Sequence, residues 1–260
     1  MLLTYHTVKP LCDAFFSPYE ACRYSTDANT IYVLDEHNVF RQVLHILTAH
    51  PKKYDLIFYG TDSEFTPHYL ECVRPYVNHI WAQNCRIMNE DALITKIPIG
   101  FPIDADPTPY KEKSTSTPKN ILCYLPKLGL YDDNNMHHLP ARVLRQECIK
   151  YFKNNKPFVE IEDATIPREQ FYDKLCRCKF VVCPMGVGLD TYRVFEASYM
   201  GATPIVLRST GMCDLYEKFG ALIVDKWEDI NEDLLQNHVH FHPPHEMFEL
   251  EFWLFTNKRK

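Results

Sequence analysis

Short apolar runs alternate with longer amphipathic segments along this chain. Apolar runs bounded by turn formers read as buried strands, and apolar positions recurring every three or four residues read as one face of a helix. On that basis Leu2 to Tyr5, Thr30 to Leu34, Asp55 to Phe58, His79 to Trp81 and Ala92 to Ile97 are expected strands. A helix is expected between the second and third, with Val39, Phe40, Val43, Leu44 and Leu47 on its apolar face and Asp35 as N-cap. A second series follows: strand Asn120 to Leu125, helix Leu139 to Phe152, strand Phe158 to Ile161, helix Pro167 to Leu175, strand Phe180 to Cys183, helix Thr191 to Met200, and strands Pro204 to Leu207 and Gly220 to Val224. Met247 to Phe255 is expected as an aromatic-rich amphipathic helix packing back on the body.

This order predicts an α/β architecture with parallel sheets, and the second series has the βαβαβ order of a Rossmann-like half. Residues 101–119 carry Pro102, Pro107, Pro109 and Pro118 around a Ser/Thr/Lys run and form the best boundary in the chain. The expected units are therefore an N-terminal domain over 1–101, a linker over 102–118, a C-terminal domain over 119–240 and a docking helix within 241–260.

The composition, 46% hydrophobic and 24% charged over 260 residues, is that of an ordinary globular protein. A formal charge of -6 implies no electropositive surface for nucleic acid. No segment approaches the roughly 18–20 continuous apolar residues of a membrane span. No charged start followed by an apolar core marks a secretory leader, so the ten cysteines are expected reduced and the protein cytoplasmic. The chain has only eight glycines, and five fall between Gly186 and Gly220.

That cluster overlaps the densest motif, the run from Phe180 to Leu207. A strand feeds a loop containing Gly186 and Gly188, the loop feeds a helix starting near Asp190 and Thr191, and a buried strand follows Gly201. A helix start exposes backbone N–H groups and partial positive charge, which suits an anion. Glycine lets backbone approach a phosphate, and Arg193 in the first turn can clamp a diphosphate with two parallel bonds. Glu196, three residues on, shares that helical face and can accept from ribose hydroxyls. The same residues can also form nothing more than a turn, a cap at Asp190 and an i,i+3 ion pair.

The run Cys183-Pro-Met-Gly-Val-Gly-Leu-Asp-Thr-Tyr-Arg193, continued by Glu196-Ala and Gly201-Ala-Thr-Pro-Ile-Val206, resembles the nucleotide-sugar motif of exostosin-like glycosyltransferases. It is similar to the versions in small soluble enzymes of bacteria and large DNA viruses. A second match is Ile80-Trp-Ala-Gln-Asn84 followed by Ile97-Pro-Ile-Gly-Phe101. The resemblance implies a GT-B fold, with two compact Rossmann-like domains facing a cleft and the donor held by the C-terminal one. It places Gly186, Gly188, Asp190, Thr191, Arg193 and Glu196 at the donor site. It also implies an inverting transfer from a nucleotide diphosphate sugar, UDP-linked, to a hydroxyl of a glycan or glycoprotein acceptor. Arg193 would neutralise the leaving group, with no metal or other cofactor required.

An inverting transfer needs a base for the acceptor hydroxyl proton. Asp62, at the end of the strand Asp55 to Phe58 and beside Gly60, is the first choice; Glu64 and His6 follow. The Gly-Thr-Asp-Ser sequence there can also be a plain turn. Asp104-Ala-Asp106 opens a rival, a metal-dependent GT-A-type transferase, since paired carboxylates suit Mn²⁺ or Mg²⁺. His238, His240, His242 and His245 admit zinc as a minor alternative. A third reading is a non-catalytic nucleotide- or glycan-binding module.

Overall fold

The computed structural model describes residues 1–19, 22–34, 39–130, 139–154, 157–209 and 211–256; the expected cap Asp35 lies outside them. The described residues form two five-stranded sheets, parallel throughout. The first contains β1 (Ala14–Phe16), β2 (Thr30–Val33), β3 (Tyr54–Phe58), β4 (Val77–Ala82) and β5 (Ile94–Lys96), in that spatial order. The second contains β6 (Ile121–Leu125), β7 (Val159–Ile161), β8 (Cys178–Val182), β9 (Thr203–Leu207) and β10 (Leu222–Val224), in the order β10-β9-β8-β6-β7. The helices are α1 (Tyr5–Val8), α2 (Val39–Ala49), α3 (Pro67–Val73), α4 (Lys111–Ser116), α5 (Leu139–Lys153), α6 (Arg168–Arg177), α7 (Tyr192–Tyr199), α8 (Cys213–Lys218) and α9 (Glu232–Asn237).

Parallel strands are covered on both faces, which is why their sequences read as nearly unbroken apolar runs. In β8 only Lys179 is exposed. The helices show the opposite pattern: α2 buries Val39, Phe40, Val43 and Leu47 at helical spacing. The far face of each sheet has its own apolar cluster. A third cluster joins the halves, bringing Leu3, Tyr59, Trp81 and Phe101 together with Phe195, Phe219, Phe248 and Trp253.

Both ends of the chain depart from the periodicity. The expected strand Leu2 to Tyr5 is reduced to one antiparallel bridge between Leu2 and Glu249, and α1 begins at Tyr5. Thr7 Oγ1 donates to Leu2 O and accepts from Thr4 N, so a local side-chain turn replaces the ladder. The expected helix Met247 to Phe255 is broken into a 3-10 turn, His245–Phe248, and a π-turn, Phe252–Thr256. Leu3 N donates to Phe248 O and Leu250 N donates to Met1 O, so pairing with the N-terminal segment takes the groups a continuous helix would use. Trp253 then seals the join: its carbonyl accepts from Trp81 Nε1 at 3.0 Å, and its own Nε1 donates to Met247 O at 2.8 Å.

The proline-rich junction is docked on the second half. Tyr110 is buried with its ring centroid 5.3 Å from that of Tyr172, and Lys113 pairs with Asp173 at 3.0 Å.

Candidate functional site

The strand order locates the site. In the second sheet the chain passes from β6 outward to β7, then returns across β6 to β8. Connections leaving the carboxyl ends of β6 and β8 thus diverge, and open α/β sheets bind ligands in the crevice at such a reversal. The first sheet runs in simple sequence and has no equivalent reversal among its described strands. A cavity of about 510 Å³ lies at the reversal. Tyr124 at the end of β6, Lys127 just after it, Glu162 and Arg168 after β7, Pro184 after β8 and Arg193 in α7 line it. Its walls carry four cationic side chains, Lys127, Arg145, Arg168 and Arg193, against two acidic ones, Glu162 and Glu196. This is a positive concavity in a chain of net charge -6, an arrangement that concentrates anions.

Arg193 is the most exposed to demand. Thr191 is the N-cap of α7, accepting from Arg193 N at 3.4 Å, so the arginine sits in the first turn. Its guanidinium carbon lies 4.1 Å from the centroid of the Phe171 ring, which holds the fork flat. Nη1 is 3.0 Å from Glu196 Oε2 but makes no aligned hydrogen bond. Glu196, with its side chain 6% exposed, accepts from the Tyr172 hydroxyl at 3.1 Å. A second buried donor on this wall is the Tyr124 hydroxyl, whose pKa burial pushes up to about 12. Tyr124 Oη has no hydrogen-bond acceptor, and Arg193 Nη1 has an ion-pair partner in Glu196 without an aligned hydrogen bond, so both have bonding capacity for a ligand. Arg168 is held by Asp104 at 3.0 Å, and Lys127 Nζ donates to Thr165 Oγ1 at 2.9 Å.

The structure gathers Thr191, Arg193 and Glu196 on the cavity wall and puts Gly186, Gly188 and Asp190 elsewhere. A Cβ on Gly188 would come within 2.6 Å of Asn84 Nδ2, so its close approach is to a side chain of the first half. Asp190 is buried; its carboxylate accepts from Ile99 N and Thr191 N, each at 2.7 Å, and from the Tyr216 hydroxyl at 3.2 Å. A buried carboxyl needs such partners inside the protein, and these three donors supply them. The cap role falls to Thr191 instead.

Burial pushes the Asp190 carboxyl up to about 7, against the pull of those three donors. The protonated form has a place for its hydrogen, since Tyr216 also reaches Leu189 O at 2.9 Å and can donate there while accepting from Asp190. Between roughly pH 4 and 7 the folded chain keeps this proton and the unfolded chain releases it, so stability falls with rising pH across that window and levels off above it. Asp190→Asn removes the titration. In urea melts at pH 5 and 7.5, the loss between the two pH values is expected to be about 2–3 kcal/mol smaller in the variant. Parallel pH curves would show that the carboxyl stays ionised in the fold.

Of the base candidates, Asp62 is exposed on the loop after β3, and its charge helps keep the Tyr192 phenol protonated, after burial. Tyr192 lines the cavity, and Asp62 is near enough to act on its phenol without itself lining the wall. Glu64 makes a two-point ion pair with Arg86 Nε and Nη2. His6 is exposed on α1, away from the cavity lining. The Asp104/Asp106 pair is divided: Asp104 holds Arg168, while Asp106 accepts from Thr108 N and Oγ1. His238 and His240 pack on Phe180, His242 stacks on His240, and His240 Nδ1 and Thr203 Oγ1 are 2.8 Å apart. Among the described residues no group of three His, Cys, Asp or Glu could hold a metal ion. All ten cysteines are free thiols, and no helix among the described residues is long and apolar enough to cross a membrane.

Residues 112–236 match the family model of the RXYLT1 C-terminal domain, which supports a glycosyltransferase family for this segment. The matched stretch runs from α4 to α9 and contains every cavity residue named above. Asp62 and Asn84 lie outside it. No curated protein matches the chain.

Proposed function

We propose that this protein is a glycosyltransferase of GT-B type, transferring a sugar from a nucleotide diphosphate sugar to a glycan hydroxyl. The observation that carries the reading is Arg193: a guanidinium braced on Phe171, with a buried Nη1 lacking an aligned acceptor, at a positive cavity on a topological switch point. In this reading the diphosphate lies against the first turn of α7, and Arg193 neutralises the charge that develops on it as the glycosidic bond breaks. A smaller cavity of about 110 Å³ shares Pro184 with the first. Its apolar walls, Leu144, Met185, Leu189 and Val206 among them, suit the base ring of a uridine diphosphate donor. Asp62 takes the acceptor proton, the acceptor approaches from the first half, and inversion follows from attack opposite the leaving group.

A nucleotide panel tests this. UDP at 100 times its Kd is expected to raise the melting temperature by about 5–10 °C. Nucleotide release from a UDP-sugar in the presence of acceptor glycans, undiminished by EDTA, is the expected activity. Binding with no release from any donor would make the protein a binding module. Release abolished by EDTA would return the metal-dependent reading. No response to any nucleoside diphosphate would remove the proposal.

A further inference from the structure

Asn84 stands where the loops after β3 and β8 meet, and its side chain bonds to both. Among the described residues it is the one non-glycine with positive φ, 49°, two residues beyond the end of β4. Its Nδ2 donates to Thr61 O at 2.8 Å, and its Oδ1 accepts from Asp190 N at 2.8 Å. Thr61 immediately precedes Asp62; Asp190 immediately precedes Thr191, the cap of the helix carrying Arg193. Both bonds are buried and of ordinary length. Gln83 reinforces one end, accepting from Gly60 N at 2.8 Å and donating to Thr61 O at 3.1 Å. Gly188 presses on the other, its missing Cβ leaving room for the amide of Asn84.

We infer that Asn84 is a positioning residue that sets the distance and angle between Asp62 and Arg193. The inference rests on the function proposed above. The two loops belong to different sheets, each with its own local ties, Gln83 on one and Tyr216 on the other. One amide bonded to both backbones fixes the first loop relative to the second, beside the bond from Ile99 N to Asp190. A planar side chain with a donor and an acceptor at fixed separation is suited to this. Alanine has neither group, and aspartate has no donor for Thr61 O. The left-handed backbone at position 84, which asparagine tolerates better than most residues, aims the amide along the line between the loops.

The test uses two variants acting from opposite ends. Asn84→Gly removes the amide without backbone strain, because glycine accepts positive φ. Gly188→Ala leaves Asn84 in place and pushes against it. A displacement of about 1 Å at a reacting group can cost roughly 10²-fold. Both variants are expected to bind UDP within about threefold of wild type and to lose about 10²-fold in kcat for transfer. Hydrolysis of the donor by water should fall less, so the hydrolysis-to-transfer ratio rises. General destabilisation would not raise that ratio. Unchanged kcat, or loss of binding in step with turnover, would overturn the inference.

Hydrogen exchange without nucleotide separates this failure from failure of the proposed function. In Asn84→Gly the amides of 60–63 and of 188–193 are expected to lose protection together. Loss in one segment alone overturns the strut even if the enzyme is active. Coupled loss in a protein that ignores nucleotides keeps the strut as a mechanical link and refutes only the function built on it.

Discussion

Arg193→Ala is expected to weaken UDP binding about 10²–10³-fold, measured by titration calorimetry on the purified protein. Two effects combine. The charge-assisted bonds from the guanidinium to the diphosphate are lost, roughly 1.5–3 kcal/mol for each such hydrogen bond. Glu196, 6% exposed, is then left without the cation 3.0 Å away and turns a repulsive charge toward the ligand. Removing that charge in Arg193→Ala/Glu196→Gln should recover part of the affinity, which loss of fold would not permit. Arg193→Lys is expected to recover less than tenfold over the alanine variant, because an ammonium has no planar fork to lie on Phe171. A Kd for UDP within threefold of wild type in Arg193→Ala would place the diphosphate elsewhere.

The residues of this clamp were readable to different depths. Arg193 and Glu196 stand three apart in a helix whose start, glycine-rich approach and following strand are all local features, so their shared face was legible. Phe171 and Tyr124 were not, because they reach the cavity from α6 and β6, and the order β10-β9-β8-β6-β7 that brings those elements together is non-local. Asp190 shows the converse. The resemblance places it at the donor site, while the groups that hold its carboxylate include Ile99 N and Tyr216, far away in the chain. The motif 80–84 could be recognised, but the role of Asn84 depends on a contact across 106 positions of sequence. At the chain ends the aromatic periodicity of 247–255 was real, and the burial it signals is present in Met247, Phe248 and Trp253. The helix was lost because Leu3 and Met1 compete for its backbone.

Asp62→Asn should separate chemistry from binding. The side chain belongs to a loop whose preceding residues are fixed by Gln83 and Asn84, yet it is itself exposed. That combination, a held backbone and an exposed carboxylate, suits a group that meets an incoming hydroxyl. A general base contributes typically about 10²–10⁴-fold. The asparagine variant is expected to lose that range in kcat, with UDP affinity within about threefold because Asp62 is not among the residues lining the proposed diphosphate cavity. A base works only when ionised, so the wild-type rate should fall once the pH is low enough to protonate it, and the residual rate of Asp62→Asn should lack that acid limb. Asp62→Glu keeps the base but displaces it by one methylene, and should show the limb at reduced rate. Glu64→Gln is the neighbouring control. It breaks the pair with Arg86 and should cost stability without removing the limb. If the limb survives in Asp62→Asn and disappears in Glu64→Gln, the base is Glu64, and the opening beside Tyr192 has another use.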